Sequence, residues 1–85
     1  MSTTPPTPSA EQIQQLTLQW AAELLEEPEV LPEDNFLELG GHSMLALQMA
    51  ERAKERFGAE YDLVLLFEKD FAATAAELAH RIAEH

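Results

Sequence analysis

The chain has 85 residues, 5 Lys and Arg against 16 Asp and Glu for a formal net charge of −11, and no Cys. A chain of this length is one domain. It lacks the thiols for disulfides or thiolate metal sites and the cations needed to neutralise nucleic-acid phosphates or an anionic membrane surface. At 46% hydrophobic residues it has enough apolar side chains for a packed core, yet no run approaches the roughly 18 residues of a membrane span. The start has no signal-peptide pattern, so a cytoplasmic location is expected. No Lys or Arg precedes Arg52, and such an acidic field suits a basic-surfaced protein partner.

In chain order, Met1–Pro8 gathers three of the five prolines among Ser and Thr. It reads as a disordered arm ahead of one domain over 9–85. Ser9-Ala10-Glu11-Gln12 is a capping box. Behind it Ile13, Leu16, Trp20 and Leu24, with Ala21 and Leu25, recur at helical spacing as far as Glu26, where Pro28 ends the helix. Residues 27–42 have no sustained period and contain Pro28, Pro32, Gly40 and Gly41. A loop this long in so small a domain is usually functional, and Val30, Leu31, Phe36, Leu37 and Leu39 are its expected anchors.

A second helix spans Ser43 to Phe57, with Gly58 as its stop. Ala46, Met49, Ala50, Ala53 and Phe57 form its buried stripe. Met44 and Leu47 fall off that stripe, where a core does not need them. The apolar run Tyr61–Phe67 reads as a short helix, because a lone strand would have no ladder partner. A second capping box, Thr74-Ala75-Ala76-Glu77, is expected to open the last helix, with Leu78, Ala79 and Ile82 inward and Arg81 near its end. The fold expected is therefore all-α: a small four-helix bundle of three main helices and one short one, with a long loop between helices 1 and 2.

The chemistry concentrates in the loop–helix junction. Gly40 and Gly41 give backbone freedom and remove side-chain bulk, and Ser43 follows at a helix N-terminus, where free amides and the helix dipole favour negative charge. A phosphate ester on Ser43 would be well placed there.

Asp34–Met44, D-N-F-L-E-L-G-G-H-S-M, resembles the core motif of the peptidyl carrier (thiolation) domains of nonribosomal peptide synthesis, usually Asp-x-Phe-Phe-x-Leu-Gly-Gly-His/Asp-Ser-Leu. Those domains belong to the phosphopantetheine-binding acyl carrier superfamily. The resemblance runs over roughly residues 10–84. It implies a non-catalytic four-helix carrier whose Ser43 receives 4′-phosphopantetheine from coenzyme A, with Gly40, Gly41 and His42 forming the attachment motif around it. The thiol of that arm then carries an aminoacyl or peptidyl group as a thioester. The partners implied are a phosphopantetheinyl transferase, an adenylation enzyme, and condensing, tailoring or releasing enzymes. They would dock on Met44, Leu47, Val64, Leu66 and Phe67 within an acidic rim. A monomeric, free-standing carrier serving antibiotic or related natural-product biosynthesis is the expectation, with no bound metal.

Three positions depart from the family pattern. Leu37 stands for the second Phe and Met44 for Leu, both volume-tolerant changes. Asp70 stands where Pro is usual, in a stretch after Phe67-Glu68 that is about three residues longer by that comparison. Plainer readings stand beside the carrier: Ser43 as a simple N-cap, an unmodified acidic helical adaptor for a basic partner, and a hydrolase elbow at Gly41-His42-Ser43 with Asp62 or Asp70 and His80 completing a triad. The elbow lacks its final Gly and any parallel sheet. His42 is expected to be a surface or partner-contact residue, His80 and His85 to be solvated, and Trp20 to be core.

Overall fold

Ser9 caps the first helix as its spacing requires. Its hydroxyl accepts from the Gln12 amide at 3.1 Å, while its own amide donates to the Gln12 side chain at 2.9 Å. In the computed structural model, which describes residues 8–84, this opens α1, Ala10–Leu25, followed by α2, Ser43–Phe57, α3, Leu63–Glu68, and α4, Phe71–Ala83. All but the last residue of the arm expected over Met1–Pro8, and also His85, lie outside the described residues. The all-α four-helix architecture agrees with the sequence reading. Among the described residues no helix is long and apolar enough to cross a membrane.

α1 ends one residue earlier than expected. Glu26 adopts a left-handed conformation at φ 56° and donates its amide to the Ala22 carbonyl, so the chain has already turned before Pro28. α1 packs chiefly on α4 and also on α2, while α3 bridges α2 and α4. The core is built from residues three and four apart: Ile13, Thr17 and Ala21 of α1; Ala46, Met49, Ala50 and Ala53 of α2; Phe71, Thr74, Ala75 and Leu78 of α4. Trp20 lies at the margin, half-buried and tilted against Phe57 with ring centroids 5.8 Å apart.

Thr17 at the centre of the α1 stripe is polar, and its burial has a partner to explain it. Its hydroxyl donates to the Ile13 carbonyl at 2.7 Å and lies 2.7 Å from the Tyr61 hydroxyl. A threonine has one proton to give, so the Tyr61 hydroxyl donates to Thr17. Burial pushes the Tyr61 phenol well above its ordinary pKa, against a smaller lowering from the Thr17 hydrogen bond. Tyr61 is therefore a neutral strut tying the α2–α3 connection to α1.

The start of α4 corrects the sequence reading. Thr74 does not open the helix. It is buried one turn inside it, and its hydroxyl donates back to the Asp70 carbonyl at 2.9 Å. Asp70 is the N-cap, accepting from the Ala73 amide at 2.8 Å. Phe71-Ala72-Ala73 thus form the first turn of α4, and Phe71 is buried edge-on to Phe36. The Asp70 carboxylate satisfies one of the amides that begin the helix, as an N-cap does, and loop carbonyls at Asp34 and Pro32 take the other two.

Candidate functional site: the junction at Ser43

The long loop is pinned, and its pins set the site. Phe36 is fully buried, with Phe67 and Phe71 edge-on at centroid distances of 5.7 and 6.4 Å. Burying such a ring contributes about 1.5–3 kcal/mol. Val30 is buried and Leu39 half-buried, as anchors should be. Leu31 and Leu37, expected as anchors too, are instead exposed. Phe36 and Leu37 are adjacent on a tight turn, so only one of them can point into the core.

From Asn35 onward the backbone closes on itself. The Leu39 amide donates to the Asn35 carbonyl at 3.2 Å, Gly40 to Leu37 at 3.0 Å and Gly41 to Phe36 at 2.9 Å. The two glycines then have different reasons. Gly40 sits at φ 96°, which side chains rarely adopt, with open space around it. Gly41 has no such angle, but a Cβ there would lie 2.4 Å from two carbons of the Phe36 ring. One glycine makes the turn; the other allows the backbone to lie against the core.

That approach delivers an unusual helix start. His42, not Ser43, is the N-cap, with extended backbone, and its side chain makes no capping hydrogen bond. α1, α3 and α4 are capped by Ser9, Asp62 and Asp70. Ser43 is the first helical residue and is exposed, and its hydroxyl has no hydrogen-bond partner among the described residues. The plain reading of Ser43 as an N-cap is therefore overturned. The amides of Ser43, Met44 and Leu45 find no acceptor among the described residues either, and the first turn of α2 carries no acidic side chain. Three free amides at the positive end of a helix dipole, beside a free hydroxyl and the open space at Gly40, fit a phosphate ester on that oxygen.

The apolar residues expected around Ser43 divide. Met44 is 65% exposed, Leu47 58% and Val64 60%. Leu47 stands one turn beyond Ser43 on the same face of α2. Leu66 is corrected: at 1% exposure it is the buried residue of α3, because a six-residue helix has one inward face and Leu66 occupies it. Phe67 is half-buried against Phe36 and offers less surface than expected. Leu37, expected as an anchor, is 50% exposed, and its carbonyl accepts from the Gly40 amide. The triad of the hydrolase reading is not assembled. Asp62 caps α3 and faces Arg81, Asp70 caps α4, and His80 pairs with Glu84 at 2.8 Å. Among the described residues no group of His, Asp and Glu could hold a metal ion.

Comparison with known proteins bears on the same residues. A family model described as a phosphopantetheine attachment site matches residues 14–82. Phosphinothricin tripeptide synthetase PhsB of Streptomyces viridochromogenes is 49% identical over 55 residues, which cover 60% of this chain and 5% of the synthetase. The dimodular nonribosomal peptide synthase of Bacillus subtilis is 45% identical over 60 residues, 71% of this chain and 2% of that protein. Malpibaldin synthetase of Mortierella alpina is 44% identical over 63 residues, 74% of this chain and 1% of that synthetase. The chain thus spans a small fraction of the length of these relatives.

Proposed function

Starting from the fact that the chain belongs to the phosphopantetheine attachment family, as a peptidyl carrier domain of nonribosomal peptide synthesis whose cofactor is covalent 4′-phosphopantetheine, we propose that Ser43 is its attachment residue and that the domain presents aminoacyl or peptidyl thioesters to partner enzymes. The observation that carries this is the free hydroxyl of Ser43 beside three unengaged amides at the only helix start without a side-chain cap among the described residues. In the transfer Ser43 supplies the oxygen. A new O–P bond forms to the phosphopantetheine phosphate of coenzyme A, 3′,5′-ADP leaves, and the hydroxyl proton passes to a base of the transferase. His42 has an extended backbone and no cap bond, so it leaves the amides of α2 free for the ester. Bound, the group supplies a thiol on a long arm.

Partner choice then rests on surface. Met44, Leu47 and Val64, joined by Leu37, form the apolar contact, and the acidic charge of the chain steers basic-surfaced enzymes toward it. Adenylation, condensing, tailoring or releasing enzymes are the partners proposed, meeting the carrier in short-lived encounters. The free-standing arrangement belongs to the same proposal, and loading in trans by a separate adenylation enzyme tests it.

Incubation with coenzyme A and a broad-specificity phosphopantetheinyl transferase, read by intact mass, tests the attachment. One added phosphopantetheine is expected on the native chain and none on Ser43→Ala. No gain with several transferases would favour the unmodified adaptor instead. Met44→Glu should keep its helical content yet load about tenfold more slowly with its adenylation partner, the effect of losing one central apolar contact. Unchanged loading would remove Met44 from the docking surface.

A further inference from the structure

No side-chain cap fixes the register of Ser43 at the start of α2. A side-chain tie between the segment leading to it and the end of α3 comes from Asn35. The Asn35 side-chain nitrogen donates to the Lys69 carbonyl at 2.8 Å and to the Phe67 carbonyl at 3.3 Å, and its side-chain oxygen accepts from the Glu38 amide at 3.1 Å. Both hydrogens of the amide and its acceptor are thus used. The two carbonyls belong to the C-terminal end of α3, where helix carbonyls lose their own partners. One face of this side chain closes the turn that runs to Gly41, and the other grips residues more than thirty positions away.

The neighbouring backbone follows the same path. Asp34 and Pro32 accept from the Phe71 and Ala72 amides at 3.1 and 2.9 Å, and Asn35 forms an isolated antiparallel bridge with Asp70. Phe36 anchors the turn by apolar burial, which sets depth. A ring in a core does not by itself fix how the turn slides along the surface, whereas directed hydrogen bonds do.

We infer that Asn35 is a positioning residue for modification of Ser43: its side chain latches the 35–42 turn to the end of α3, and so holds the Ser43 hydroxyl in register with the apolar surface that partners meet, including Val64 of α3. This rests on the reading of Ser43 as the attachment residue. The latch needs a donor pair, so a carboxylate cannot replace it. Asn35→Asp would keep the acceptor for Glu38 and set a negative oxygen against two carbonyls.

The test is made on the intact chain at a temperature where native protein and variants are all folded. In Asn35→Ala, amide hydrogen exchange at Leu39, Gly40 and Gly41 should quicken about tenfold relative to exchange at Met49 and Leu66, as the turn opens locally without the core. Transfer of phosphopantetheine should fall about tenfold in kcat/KM, with Asn35→Asp at least as slow. A residue serving stability alone would lower the melting temperature, move all amides together and leave transfer by the folded protein unchanged. That result overturns the inference while leaving Ser43 as the attachment site. Failure of the native chain to be loaded would instead sink the attachment reading, and the exchange data would still decide whether the latch exists. Should Asn35→Ala be too unstable to compare, Asn35→Asp is read in the same way.

Discussion

At the start of α4 the first three amides all have acceptors: the Asp34 carbonyl, the Pro32 carbonyl and the Asp70 carboxylate, at 3.1, 2.9 and 2.8 Å. At the start of α2 the corresponding amides of Ser43, Met44 and Leu45 have none among the described residues. Both helices follow the same long loop in space, and the loop lends its carbonyls to one and not to the other. Unmet donors at a helix end are normally satisfied by caps or water, so the difference separates a junction closed by the loop from one whose amides stay open, where the proposed ester would sit. The closed junction packs against the open one's loop through Asn35 and Phe36, so the hydrogen-bonded start of α4 supports the segment leading to the exposed start of α2.

The largest way to break this contrast lies in the two glycines leading to α2. Gly41→Ala places a methyl 2.4 Å from the Phe36 ring, and that ring, wholly buried beside Phe67 and Phe71, has nowhere to go. Overpacking of this kind costs about 1–3 kcal/mol. Gly40→Ala meets no atom within 4 Å and suffers only its backbone angle, about 1 kcal/mol. Urea unfolding of both variants measures the order. Equal losses would mean that Phe36 does not hold the approach to α2.

A smaller effect comes from exchanging the two helix starts. Asp70→Ala should destabilise the chain by about 1 kcal/mol through loss of the α4 cap, and His42→Asp should stabilise it by up to about that amount by giving α2 a cap it lacks. Phosphopantetheine transfer should survive His42→Asp, because an N-cap oxygen accepts from the second or third helical amide and does not engage the Ser43 hydroxyl. Thermal melts of both variants give the comparison. No gain from His42→Asp would show that the amides of α2 already have partners.

This contrast also divides what could be read from the sequence. Ser9 with Gln12, the α2 stripe of Ala46, Met49 and Ala53, and exposed Met44 and Leu47 were all legible, because caps and helical periodicity are local. The motif around Ser43 was legible because its residues are contiguous. The true start of α4 was not. Thr74 and Glu77 have capping-box spacing, but Asp70 caps better once the Phe71 and Ala72 amides find carbonyls on the distant loop, and no local pattern announces those. Leu66 and Val64 were equivalent in a run too short to show a period, so only packing could decide which faced inward. Asn35 reads locally as a turn residue; its grip on Lys69 and Phe67 depends on chain segments that meet only after folding. Thr17 was hidden for the same reason, since its partner Tyr61 lies on the far side of α2 in sequence.

The smallest expected effect bears most directly on why α2 starts open. The phosphodiester proposed on Ser43 would add one negative charge beside free amides at the positive end of the helix dipole. The loaded form should therefore be more stable than the bare one by about 0.3–1 kcal/mol at low ionic strength, and the gain should shrink as salt rises, since the Debye length is only about 10 Å at 0.1 M. The start of α4 supplies the control. Ala73→Glu puts a negative charge in the first turn of a helix whose amides are already taken and whose cap is the carboxylate of Asp70, so repulsion offsets the dipole and no comparable gain is expected. Melting curves of bare and loaded chain, with and without Ala73→Glu, at two salt concentrations separate the two junctions. A loaded form no more stable than the bare one, at low salt, would mean that the ester hangs free in solvent and that the open amides of α2 do not receive it.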